Sequence, residues 1–232
     1  MVSIPRAALA PSAFVSAALD LALPPTCAGC SSEGVLLCEH CARPLASRVS
    51  LPPGIHMGLR GEAPPSIAQL EWCAPFTGTV RGALHQLKYG GERRLARPLS
   101  AAMAARWRSA GAGGDLVCPV PVHADRERQR GYDQAVLLAE AMARHLGLPC
   151  ERALRRARST RPQFELGRKA RMSNVSGAFE LSGILAPSRL RGRWIVLVDD
   201  VATTGSTLAA CAEVLYEAGA LAVSAMTVAR ER

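Results

Sequence analysis

The sequence predicts an α/β protein built on a three-layer parallel sheet, preceded by a small cysteine module. Three observations predict it. From Leu70 onward, strand-like and helix-like patterns alternate, as they do when helices connect the strands of one sheet. Trp194-Ile-Val-Leu-Val198 is an unbroken apolar run, which suits a strand covered on both faces. Two C-x-x-C pairs, Cys27/Cys30 and Cys38/Cys41, stand close together before the alternation begins.

Composition excludes several alternatives. The chain has 232 residues, is 49% apolar, and carries eight cysteines and a formal charge of +9. That apolar content is too high for a disordered chain. The cysteines are too sparse for a secreted disulfide scaffold, and no run approaches the roughly 18 apolar residues of a membrane span. The basic residues are 26 arginines and two lysines, Lys88 and Lys169. The excess charge points to an anionic partner: phosphate, nucleotide or nucleic acid.

Taken in order, residues 7–23 are apolar after Arg6 and loosely imitate a secretion signal. Pro11 and Asp20 interrupt them, and Phe14, Val15, Ala18, Leu19 and Leu23 fall near one face of an amphipathic helix. The expected location is the cytoplasm. Cys27-Ala-Gly-Cys30 and Cys38-Glu-His-Cys41 are separated by seven residues, a spacing at which two knuckles bring four thiolates onto one Zn²⁺ at about 2.3 Å. A closed four-sulfur shell folds a module and does no chemistry. The alternative, a redox dithiol, needs only one such pair. His40, inside the second knuckle, could replace one cysteine as ligand, and a surface residue is its simpler reading. Cys73, Cys118, Cys150 and Cys211 sit among apolar neighbours and read as buried free thiols.

Residues 50–66 contain four prolines and three glycines and read as a linker. A strand is expected over 70–76, helices over 79–89 and 94–108, and a buried strand over 115–122. A helix follows over 134–146, stopped by Gly147. After the strand at 194–198 come a helix over 207–218 and a last strand over 222–229.

The most informative segment is Ile195-Val-Leu-Val-Asp199-Asp200-Val-Ala202-Thr203-Thr204-Gly205-Ser206-Thr207. An apolar strand ends in two carboxylates, and a small hydroxyl-rich loop then opens a helix. Ligands of α/β sheets bind at the carboxyl ends of strands, and such a loop at a helix N-terminus suits a phosphate. Two carboxylates beside a phosphate call for hydroxyls or a metal, and a sugar phosphate with a vicinal diol supplies the hydroxyls. The alternative is an ordinary strand-to-helix turn, with Asp199 and Asp200 as turn residues. No Walker loop occurs in the sequence.

The segment resembles the phosphoribosyl pyrophosphate (PRPP) motif of type I phosphoribosyltransferases. The resemblance implies that Asp199 and Asp200 hold the ribose hydroxyls, that Ala202, Thr203, Thr204, Gly205, Ser206 and Thr207 hold the 5′-phosphate, and that Mg²⁺ accompanies the pyrophosphate. The wider ordered set is similar to the ComF competence-protein family: the cysteine pairs, Leu87-Lys88-Tyr89-Gly90-Gly91, Pro119-Val120-Pro121, Arg130-Gly131-Tyr132-Asp133-Gln134, and Gln163…Arg168…Arg171…Asn174…Gly177-Ala178-Phe179. The likeness runs from about residue 20 to residue 230. It implies a type I phosphoribosyltransferase fold over 69–232, a linker over 50–68, and an N-terminal helix and zinc-ribbon module over 1–49. The family's usual R-G-F-N-Q is Arg130-Gly-Tyr-Asp-Gln134 here, which puts a negative charge at 133. Further cysteine pairs, common in relatives, are missing, so one zinc is expected.

Residues 120–175 hold twelve Lys/Arg against six Asp/Glu. Arg126, Arg128 and Arg130 alternate on an expected loop after Pro119-Val120-Pro121, where the resemblance places pyrophosphate. Arg152, Arg155, Arg156, Arg158 and Arg161 precede a segment expected to fold over the site as a hood. A solvated basic face is the plain alternative. A track for single-stranded DNA is a third reading, thinly supported by Tyr132, Phe164 and Phe179 as stacking aromatics. Two classes of function follow. One is an enzyme, a glycosyltransferase passing phosphoribose from PRPP to an unknown acceptor; the other is a non-catalytic accessory of competence and DNA uptake, working with single-stranded DNA or other competence proteins. No general base can be assigned. His85 and His123 are nearest by region, and a structural role is the simpler reading of each.

Overall fold

The computed structural model describes residues 24–56, 65–122, 124–156, 177–183 and 187–231. The expected helix over 7–23, His123, and the 157–176 segment with Arg158, Arg161, Gln163, Arg168, Arg171 and Asn174 lie outside these residues.

A five-stranded sheet runs in the order β1 (Ile55–His56), β2 (Gln69–Pro75), β7 (Ala222–Arg230), β6 (Trp194–Ala202), β3 (Leu116–Pro119). Four strands are parallel, and β1 pairs antiparallel with β2 at the edge. This short strand lies within the expected linker. A second, two-stranded antiparallel sheet joins β4 (Leu154–Arg156) to β5 (Phe179–Leu181). The strand expected over 115–122 spans only Leu116–Pro119; Val120 N still bonds to Val198 O at 2.9 Å, and Pro121 has no N–H to continue the ladder.

Helices cover both faces, giving three layers. On one face lie α2 (Gly78–Tyr89), α3 (Ala96–Ser109) and α5 (Gln134–Leu146). Their buried residues recur at helical spacing, as Val80, Ala83, Leu84 and Leu87 do on α2. They pack on Val117, Val196, Val198, Met226 and Val228 of the sheet. The other face carries α6 (Ser206–Glu217), whose Leu208, Cys211 and Leu215 meet Ile195, Leu197, Val223 and Ala225. Strand residues alternate between these two layers, as the pleat requires. A short helix, α4 (Ala124–Arg130), occupies the stretch expected as an arginine loop.

The cysteine module ends in α1 (Glu39–Ala46), and its Leu45 joins the core of the α2–α3 face. Thr79 Oγ1 on α2 donates to Cys41 O at 3.1 Å. The chain after α1 is pinned by Arg106 of α3. Its guanidinium donates to the carbonyls of Arg48, Leu51 (2.9 Å) and Pro52 (2.8 Å), and pairs with Glu71 of β2 at 2.8 Å.

Candidate functional site

The acidic pair does not end β6. The strand continues to Ala202, with Asp199 opposite Thr227 and Ala202 opposite Arg230 of β7. Consecutive strand residues point to opposite faces, so the two carboxylates diverge. Asp200 turns toward α2, where Lys88 Nζ lies 2.7 Å from its Oδ2. Asp199 turns toward the α6 layer, near enough to Cys211 to act on its thiol, and its Oδ1 accepts from Asp200 N at 2.8 Å.

Environment separates the pair further. Burial, then the Asp200 charge, raise the Asp199 carboxyl well above its ordinary value, against the opposing pull of Asp200 N–H and Lys88. Burial by itself would lower the Lys88 ammonium, but the Asp200 carboxylate outweighs it and raises the pKa. In the sequence Lys88 stands within Leu87-Lys88-Tyr89-Gly90-Gly91 with nothing to mark a role. A lysine in the last turn of a helix reads as a dipole partner, and only the topology brings it to β6.

The two motifs flanking this ion pair are cross-braced. Tyr132 donates its hydroxyl to Leu87 O. Arg93 lies 4.5 Å over the Tyr132 ring and donates to Gly131 O at 3.2 Å. Reciprocally, Arg130 lies 4.8 Å over the Tyr89 ring and donates to Gln134 Oε1 at 2.7 Å. Tyr89 is 65% exposed, with His85 beside it at 5.0 Å between ring centroids. His85 is therefore on the exposed side of α2.

Beyond β6, Thr203, Thr204 and Gly205 form the turn into α6. Gly205 adopts φ 78°, a left-handed conformation glycine enters freely. No side chain caps the helix. The hydroxyls of Thr204 and Ser206 lie 2.8 Å apart, and Ser206 N donates to Thr204 Oγ1 at 3.4 Å. Short polar side chains, a left-handed glycine and an uncapped helix start thus adjoin the acidic strand end.

Asp133 has a structural task. Its Oδ1 accepts from Ala135 N (2.8 Å) and Val136 N (3.3 Å), capping α5, while Oδ2 accepts from Val122 N at 3.2 Å. Two carboxylate oxygens serve three donors where an amide offers one oxygen, which accounts for aspartate at this position. Burial raises its pKa, with the three N–H groups opposing.

The arginine trio lies on α4 and not on a loop, so neighbours two apart, such as Arg128 and Arg130, leave the helix in different directions. A cleft of about 170 Å³ opens at the carboxyl end of β3, lined by Pro119, Pro121, Val122, Glu127, Asp133, Val136, Arg152, Leu154, Arg155 and Arg156. Its arginines come from β4 and the residues before it. Arg152 pairs with Glu140 at 3.4 Å and Arg155 with Glu180 at 3.0 Å.

Cys27, Cys30, Cys38 and Cys41 place their sulfurs within 4.8 Å of one another. Cys30 and Cys38 are 3.7 Å apart, the edge of a tetrahedron whose centre is about 2.3 Å from each corner. Gly29 N and Cys38 N donate to Cys27 Sγ at 3.5 and 3.3 Å, and Cys41 N to Cys38 Sγ at 3.5 Å. Burial opposes ionisation of Cys27, but the N–H groups of Cys38, Gly29 and Cys30 bring it down to about 6. Burial and the neighbouring thiols push Cys41 up to about 12. Metal binding draws protons from such thiols, because the thiolate is the ligand. These donors fit a metal ion. His40 is exposed and is not among them. The remaining cysteines are free, with Cys73, Cys118 and Cys211 buried and Cys150 half-buried, as expected.

Comparison with known proteins bears on the whole chain. A phosphoribosyl transferase domain model matches residues 133–232. The DNA utilization protein YhgH of Salmonella typhimurium is 32% identical over 211 residues, 88% of each chain. Competence protein F of Haemophilus influenzae is 28% identical over 208 residues, 89% of this chain and 85% of the relative. Competence protein ComFC of Bacillus subtilis is 31% identical over 119 residues, half of this chain. Among solved structures, glutamine PRPP amidotransferase of B. subtilis aligns over 57% of this chain and 25% of its own, with 21% identity and a TM-score of 0.39. With likeness to the first of these relatives extending over 88% of both chains, the chain belongs to the ComF competence-protein family and carries its phosphoribosyltransferase-type α/β domain.

Proposed function

We propose that the protein binds PRPP with Mg²⁺ at the end of β6 and acts in the uptake or use of DNA. Asp199 and Asp200 take the ribose hydroxyls, and residues 202–207 take the 5′-phosphate. One observation carries this reading: β6 delivers both carboxylates directly before a left-handed Gly205 and an α6 start without a side-chain cap. Hydroxyls satisfy the carboxylates, the helix start satisfies the phosphate, and one sugar phosphate supplies both. The pyrophosphate then extends toward the arginines of α4 and the β4 cleft, accompanied by Mg²⁺. In transfer, the bond from ribose C1 to pyrophosphate breaks, a bond to the acceptor forms, and pyrophosphate leaves. Titration of Mg²⁺–PRPP by calorimetry should show binding that Asp199→Asn/Asp200→Asn abolishes. Equal affinity in the two proteins overturns the assignment.

A second reading keeps the ligand and drops the turnover. His85 stands on the exposed side of α2 against Tyr89, and no residue is assigned as a base for an acceptor. PRPP then acts as a regulator of a DNA-associated accessory protein. Pyrophosphate release across a panel of nucleobases, amines and nucleic acids separates the two readings. For DNA itself, affinity for an oligonucleotide should fall steeply with salt, and salt-independent binding argues against an arginine track.

The metal at the four cysteines is zinc in this proposal, with a structural role. Purified, reduced protein should contain one zinc per chain. The free thiols of Cys73, Cys118, Cys150 and Cys211 suit the reducing cytoplasm, and among the described residues no helix is long and apolar enough to cross a membrane.

A further inference from the structure

We infer that Lys88 is a positioning residue of this site: it holds Asp200, alone of the two carboxylates, as the fixed anionic acceptor for the vicinal hydroxyls of a pentose phosphate. The inference rests on the phosphoribosyl reading above and adds to it a residue and a division of labour.

Three observations carry it. Lys88 Nζ lies 2.7 Å from Asp200 Oδ2, and Asp200 is 4% exposed. A buried carboxylate oxygen held by an ammonium at this distance keeps one orientation. Asp199 leaves the strand on the other face, and its Oδ1 is engaged by Asp200 N. The pair is adjacent in sequence but unequal in space. Second, both neighbours of Lys88 have contacts of their own, Leu87 through its backbone and Tyr89 through its ring. Leu87 O accepts from Tyr132, and the Tyr89 ring lies beneath Arg130. The ammonium is thus presented from a rigid base, as precise positioning requires. Third, 26 of the 28 basic residues are arginine, and lysine stands at this point of contact. A compact ammonium meets one carboxylate oxygen, where a guanidinium fork would engage both.

The test compares wild type, Lys88→Met and Lys88→Arg in calorimetric titrations with three probes: Mg²⁺–PRPP, ribose 5-phosphate, and Mg²⁺–pyrophosphate. Lys88→Met should weaken PRPP and ribose 5-phosphate by the same factor, about 10- to 100-fold as for other orienting partners, and leave pyrophosphate unchanged. Lys88→Arg should recover part of the loss. Loss of pyrophosphate binding alone, or an equal loss of all three, overturns the inference, because the lysine then meets the leaving group directly or merely supports the fold. Wild-type binding unaltered in Lys88→Met overturns the assignment of Lys88 and leaves the phosphoribosyl reading standing. Failure of wild type to bind any probe overturns both. A chain with two lysines also allows a ligand-free check by ¹⁵N-lysine NMR. One ammonium should exchange slowly with water and lose that protection in Asp200→Asn; two rapidly exchanging ammonium groups in wild type overturn the pairing.

Discussion

Arg106 and Glu71 form an ion pair in which neither side chain has exposed surface, with Nη2 2.8 Å and Nε 2.9 Å from Oε2. Glu71 also accepts from Gly54 N and Gln69 Nε2, while Arg106 serves three carbonyls of the segment joining the cysteine module to the sheet. A proline-rich stretch with few backbone partners of its own is thereby satisfied from the core. Removing Arg106 leaves Glu71 buried with the more distant Arg48, at 3.9 Å, as its ionic partner. Arg106→Met is expected to cost about 3–5 kcal/mol in urea unfolding. Arg106→Met/Glu71→Met should recover part of that loss. A double variant as weak as the sum of its single variants would mean that the two charges act separately.

The raised pKa of Asp199 predicts a pH-dependent cost to stability. In the unfolded chain this carboxyl has its ordinary value of 3.8, and folding raises it. Below the ordinary value it is protonated in both states and costs nothing. As pH rises toward the folded value, the unfolded chain releases its proton first and stability declines, by about 1.4 kcal/mol per unit of displacement. Asp199→Asn keeps an oxygen for Asp200 N and carries no charge. Its melting temperature should exceed that of wild type by more at pH 8 than at pH 5. An advantage that shrinks on going to pH 8 contradicts the assigned environment.

Asp133 separates a capping role from a ligand role. Asp133→Ala removes the cap of α5 and the tie to Val122, so a loss of about 1–2 kcal/mol is expected in denaturant unfolding. Asp133→Asn retains the cap, leaves Val122 N–H without its acceptor, and should fall between alanine and wild type. An asparagine variant as weak as alanine would show that charge, and not the cap, holds the helix start.

Local signals account for much of what was readable in advance. The helix at 134–146 has the predicted limits because Asp133 caps it and Gly147, at φ 71°, ends it with a left-handed turn. The four sulfurs converge as C-x-x-C spacing requires. The departures all depend on partners remote in sequence. Asp199 and Asp200 look like loop residues, yet β7 supplies a backbone ladder that carries β6 to Ala202. Ile55 and His56 lie in a proline-rich stretch and form a strand only because β2 offers its edge. Lys88 reaches Asp200 from a helix 112 positions away, and no periodicity within α2 announces that meeting. Gly29 belongs to the same class, since its importance lies in what touches it.

A turn requirement alone does not account for glycine at 29, because its backbone is not left-handed. A Cβ there would lie 2.6 Å from Cys41 Sγ, 2.9 Å from Cys41 Cβ and 2.9 Å from Thr79 Cγ2. Two of these atoms belong to Cys41, one of the four clustered cysteines proposed to hold zinc, and the third belongs to α2, on which the module docks. Gly29→Ala must therefore move Cys41 away from the cluster or lift the knuckle from α2. Zinc affinity, read by competition with a chromophoric chelator, should fall by about 10-fold or more, and the melting temperature of the zinc-loaded protein should fall with it. Ser31→Gly is the control in the same knuckle: Ser31 has φ 61°, which glycine adopts more easily, so zinc affinity should hold or rise. Equal zinc affinity in Gly29→Ala and wild type would show that the cluster tolerates displacement of Cys41 and that the close approach at residue 29 serves docking alone.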